Sequence, residues 1–104
     1  MPDRIEALRG LLAQDPDNTR MLHMLANELA NAGREDEALA EYSHLVELDP
    51  DYVPGYFQAG RLAEKLDRIE DARLWYERGL AAAEATGDSH AATEIQDALD
   101  ALGG

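Results

Sequence analysis

The chain has no cysteine in 104 residues. This excludes disulfides, thiolate zinc sites and cysteine nucleophiles, and leaves the redox compartment open. Positive charge is scarce too: 9 Lys and Arg stand against 22 Asp and Glu, a formal net charge of -13 with a sequence pI near 4.3. Phosphate groups are bound by basic surfaces, so neither nucleic acid nor an anionic membrane is expected as a partner. Long uncharged apolar runs are missing, and Met1 to Gly10 has no apolar h-region. Neither a signal peptide nor a membrane span is expected, and the default is a soluble cytoplasmic protein. Lysine is nearly absent: Lys65 stands alone beside eight arginines. Two readings fit that bias, a surface suited to concentrated salt (a halophile) or an ordinary acidic protein from an Arg-favouring genome.

What the chain does contain is a period. Asp15-Pro16-Asp17 recurs as Asp49-Pro50-Asp51, a shift of 34 residues. At the same shift Leu11 meets Leu45, Leu12 meets Val46, Arg34 meets Arg68, Ala38 meets Ala72 and Tyr42 meets Tyr76. Leu22 becomes Tyr56 and Ala26 becomes Gly60, so large and small residues keep their places. A fixed period of this length is the mark of a stacked helical repeat.

Between these marks the apolar spacing is helical. Leu22, Leu25, Ala26 and Leu29 form one buried face, as do Ala38, Tyr42, Leu45 and Val46, and Tyr56, Ala59, Gly60 and Ala63. Asn18 suits an N-cap, Gly33 a C-terminal cap and Pro54 a first turn. The pattern predicts about six helices, near 3–14, 19–32, 35–48, 53–66, 69–84 and 89–102, the fifth running on through Ala81-Ala82-Ala83. No segment alternates like a strand.

In its order of residues the repeat resembles the tetratricopeptide repeat (TPR) family: a large residue, Leu-Gly, Tyr, Ala, an aromatic, a small residue and Pro. Residues 19–52 carry this as Leu22, Leu25-Ala26, Leu29, Ala38, Tyr42, Leu45 and Pro50. Residues 53–86 carry Tyr56, Ala59-Gly60, Ala63, Ala72, Tyr76 and Gly79, with Glu84 where the proline would stand. The resemblance implies an all-α fold, a TPR-type right-handed superhelix of antiparallel helices forming a single domain over 1–104. Its parts would be a leading half-repeat helix (1–18), repeat one (19–52), repeat two (53–86) and a C-terminal capping helix (87–104). The capping helix would carry Ala91, Ile95, Ala98, Leu99 and Leu102 inward.

No catalytic constellation is legible. His23, His44 and His90 fall on different helices, and none belongs to an i, i+4 ligand pair. Asp15-Pro16-Asp17 lacks the glycine and terminal glutamate of a calcium loop. There is no glycine-rich phosphate loop and no nucleophile elbow. The expectation is a non-enzyme without metal or cofactor.

The resemblance also implies a ligand: family members usually hold an extended peptide in the concave groove lined by the first helix of each repeat. The corresponding residues are Arg20, His23, Asn27, Ala30 and Asn31, then Pro54, Phe57, Gln58, Arg61, Glu64 and Lys65. This set holds three of the nine basic residues and one of the 22 acidic ones. The expected site is therefore Arg20, His23, Asn27, Asn31, Phe57, Gln58, Arg61 and Lys65, favouring an acidic or C-terminal segment of a partner protein. Asn27 and Asn31 would hold the peptide backbone, Arg20 and Arg61 would meet carboxylates, and Phe57 would add an apolar contact. Otherwise the face is merely solvated, its arginines pairing with Glu28 and Glu64. The family's clamp for heat-shock chaperone tails needs cations where this chain has Asp88 and Ala92, which argues against that ligand. Trp75 either packs under the closing helix or forms an exposed anchor. The rival to peptide binding is a structural role, in which Ile5, Leu8, Leu11 and Leu12 of the unpaired leading helix stay partly bare. They would then stack on a second copy, as a homodimer, or on a missing part of a longer chain.

Overall fold

The computed structural model describes residues 3–103 and, among them, six helices and no strand. They are α1 (Arg4–Gln14), α2 (Thr19–Asn31), α3 (Glu35–Leu48), α4 (Val53–Lys65), α5 (Ile69–Thr86) and α6 (Ser89–Ala101). The fold is all-α and repetitive, as the period predicts. By their contacts the helices group into two compact units, one ending at Asp49 and the other beginning at Pro50. None of the described helices is long and apolar enough to cross a membrane.

In the first unit α2 packs on both α1 and α3. Leu22, Leu25, Ala26 and Leu29 of α2 are buried with Ala38, Tyr42, Leu45 and Val46 of α3. The leading helix is better covered than its sequence suggests. Ile5, Leu8 and Leu12, at i, i+3 and i+7, are buried, and Leu11 alone of the four is exposed, at 52%. Leu11 lies roughly 100° round the helix from Leu12 and so turns off that face.

In the second unit α5 packs on both α4 and α6. Tyr56, Ala59, Gly60, Leu62 and Ala63 of α4 are buried with Ala72, Tyr76, Gly79, Ala82 and Ala83 of α5. Two glycines let these helices approach. A Cβ on Gly60 would run into the Tyr76 ring, and one on Gly79 would lie 2.8 Å from Tyr56 Cβ and 3.2 Å from Ile95 Cδ1. The closing helix is only partly inserted: Ile95 is buried, whereas Ala91, Ala98, Leu99 and Leu102 are half-buried.

The helix ends follow the expected chemistry. Asn18 Oδ1 accepts from the Met21 N–H at 3.0 Å, and the carboxylates of Asp3 and Asp88 cap α1 and α6 in the same way. Three hairpin turns close alike, the Arg34, Arg68 and Asp88 N–H groups donating to the carbonyls of Leu29, Ala63 and Ala83 at 2.9, 2.9 and 2.8 Å. Each turn needs a left-handed residue just before that donor. Gly33 (φ 78°) and Gly87 (φ 73°) supply it, and in the middle turn it is Asp67 (φ 60°).

Candidate functional site

In the first unit the spacing of Arg20, His23, Asn27 and Asn31 puts them on one face of α2. Arg20, Asn27 and Asn31 are exposed and His23 is half-buried. Two of the four also hold the helix pair together. The His23 ring meets Tyr42 edge-on, with centroids 6.0 Å apart, and the Tyr42 hydroxyl donates to Asn27 Oδ1. Burial lowers the His23 pKa from its ordinary 6.5. Asn27, expected to hold a peptide backbone, thus also serves the helix pair through its carbonyl oxygen.

In the second unit Pro54, Phe57, Gln58 and Arg61 follow one another along the exposed face of α4. Opposite them α6 presents Asp88, Ala91, Glu94 and Ile95, and the two helices border a cleft of about 380 Å³. Val53 and Ile95 are buried at its base, Phe57 and Gln58 are half-buried, and Arg61, Asp88 and Glu94 are exposed at its rim. The Phe57 ring lies between Tyr76, 6.0 Å away, and the Arg61 guanidinium, 5.8 Å from its centroid. That cation–π contact steadies the arginine at the cleft. Lys65 is exposed one turn beyond and does not line the cleft. The eight expected residues thus form two sets, four along α2 and four along α4, three of the latter lining a cleft.

Glu28 and Glu64, the carboxylates expected to pair with the arginines of a merely solvated face, have partners on other helices. Glu28 meets Arg4 of α1 at 3.4 Å, and Glu64 accepts the Tyr76 hydroxyl. Burial of Tyr76, together with that bond, pushes the phenol pKa up. Trp75 is half-buried, 6.3 Å from Tyr56, and Arg78 lies over both rings at 5.2 and 5.3 Å. The indole rests against Tyr56 of α4.

The wall contributed by α6 escaped the sequence reading, because the period of 34 ends at residue 86 and offers no register beyond it. The only earlier signal was Asp88, noted as hostile to a chaperone tail. Its carboxylate accepts from the Ala91 N–H at 3.1 Å, and Glu94 lies 3.2 Å from His90. At this cleft two carboxylates stand beside one guanidinium, a different balance from the basic one behind the expectation of an acidic or C-terminal ligand. That basic balance was drawn from α2 and α4 alone.

Helix hairpins recurring at a fixed period, each with an open face along its first helix, define a helical-repeat protein. The sequence model for the tetratricopeptide repeat matches residues 19–52 and 53–86, about two thirds of the chain. A TPR repeat-containing protein of Pseudomonas aeruginosa is 32% identical over 91 residues, spanning 88% of this chain and 87% of the relative. A tetratricopeptide repeat domain protein from Salinibacter ruber, solved in solution, is 36% identical with a TM-score of 0.79, over 85% of this chain and 89% of that one. PcrH, solved in complex with the chaperone binding region of PopD, is 21% identical and shares the fold, with a TM-score of 0.87 over 96% of this chain and 76% of that one. The chain belongs to the tetratricopeptide repeat family.

Proposed function

We propose that this chain is a non-catalytic interaction module that holds an extended peptide segment of a partner protein. The observation that carries the reading is the α4–α6 cleft: an apolar base of Val53, Phe57 and Ile95 under a polar rim. It is the size of a large side chain and its neighbours rather than of a whole domain. Seating one apolar side chain there is worth about 1.5–3 kcal/mol, enough to anchor a segment held elsewhere by polar contacts. Gln58 and Arg61 on α4 offer such contacts. PcrH, of the same fold, holds a segment of PopD. Among the described residues no group of three or more His, Asp or Glu is placed to hold a metal ion.

Probing an array of short random peptides tests the reading. The wild-type protein is expected to select sequences sharing an apolar residue. Phe57→Asp should weaken their capture by about tenfold, the loss of one apolar anchor, and Arg61→Glu should change the residues selected beside it. Identical selection by all three proteins would sink the site. Self-assembly through α1 is the weaker reading. Of the large apolar residues described on α1, burial leaves only Leu11 exposed.

A further inference from the structure

We propose that the α4–α6 cleft selects a cationic segment, an apolar side chain seated on Phe57 and Ile95 with a Lys or Arg beside it reaching Asp88 and Glu94. This rests on the peptide-binding reading and gives the peptide its polarity. The argument is one of charge complementarity at the cleft. Its α6 rim carries two carboxylates, whereas the α4 rim carries one cation, Arg61, already drawn over Phe57. His90 offsets Glu94 only when protonated. From Gly79 to the end of the chain there are five Asp and Glu and no Lys or Arg. The whole protein adds a field of the same sign, with a net charge of -13 that draws cations to the surface and repels anions.

Two helix N-termini at the mouth could in principle have reversed this preference, since exposed N–H groups there attract anions. Most of their N–H groups are already engaged. Pro54 has no N–H, and the Gly55 N–H donates to the Tyr52 carbonyl at 3.1 Å. On α6 the Ser89 N–H donates to the Gly87 carbonyl at 3.1 Å, and the Ala91 N–H to the Asp88 carboxylate at the same distance. The charge an incoming group meets is therefore that of the carboxylates.

Asp88→Asn combined with Glu94→Gln removes both charges while keeping the cap, because asparagine caps helices as well as aspartate does. Synthetic peptides carrying a central Leu, Met or Phe flanked by Lys, Ser or Glu are titrated against both proteins by fluorescence anisotropy. The wild type should prefer Lys flanks to Glu flanks, and the double variant should bind the Lys-flanked set about fivefold more weakly, with the Ser-flanked set unchanged. A wild-type preference for Glu flanks, or none, overturns the polarity while leaving peptide binding standing. Failure of every flank series to bind overturns both. Circular dichroism of the double variant, expected to match the wild type, separates lost charge from lost helix.

Discussion

Repeats one and two are built on the same 34-residue template and fill it in opposite ways. Repeat one puts leucines at 22, 29 and 45 and an alanine at 26, and all are buried. Repeat two puts Tyr56, Ala63, Gly79 and Gly60 at those places. Where the first-helix residue grows from Leu22 to Tyr56, its opposite number shrinks from Leu45 to Gly79, whose missing Cβ would have met Tyr56. The shared elements are Ala38 and Ala72, and Tyr42 and Tyr76, whose hydroxyls reach back to the first helix, one to Asn27 and the other to Glu64. The repeats share the aromatic bolt and the fit between facing side chains rather than particular residues.

Exchanging residues between the repeats breaks this compensation. Gly79→Leu, the repeat-one residue in repeat two, is expected to cost about 3 kcal/mol in urea unfolding, because Tyr56 and Ile95 already fill the space. Adding Tyr56→Leu should return at least about 1 kcal/mol, and strict additivity in that double-mutant cycle would refute the paired-volume account. Gly60→Ala comes next. Alanine gains roughly 1 kcal/mol in helix propensity, but its Cβ collides with the buried Tyr76 ring, for a net loss of about 1–2 kcal/mol. The reverse change, Ala26→Gly in repeat one, should also destabilise, by about 1 kcal/mol.

A smaller effect is expected at the turns, where Gly33 and Asp67 take the same left-handed conformation. Asp67→Gly should stabilise by about 0.5–1 kcal/mol and Gly33→Asp should destabilise by a similar amount. Equal melting temperatures for all three proteins would show that the turns carry no strain. The smallest effect sets His23 against its place in repeat two, Phe57. Because the folded protein lowers the His23 pKa, its neutral form is favoured. Its contribution is full above the unfolded value of 6.5 and is lost as pH falls from there through the folded value. The difference in stability between wild type and His23→Gln should therefore shift against the wild type between about pH 7.5 and 5.5. A flat difference would mean that His23 is no more buried than in the unfolded chain.

The helices, their period and the caps at Asn18 and Gly33 were legible because each rests on local chemistry repeated at a fixed distance. Asp67 was not, since aspartate is the less common answer to a demand that glycine at 33 answers openly. The Asn27 and Glu64 partnerships were hidden for another reason. Tyr42 and Tyr76 share a place in the repeat, but their acceptors sit 15 and 12 residues away. No single spacing marks them. Half of the cleft was hidden as well, since α6 stands outside the period and its wall can be found only by packing it on α5.

The stack of Trp75, Tyr56 and Arg78 has an optical consequence. Trp75 is the only tryptophan in the chain, so its emission reports the second unit alone, whereas the far-ultraviolet ellipticity sums all six helices. Superposed melting curves from the two signals would mean that both units unfold together. Separated curves would give the order in which they come apart, with no label added.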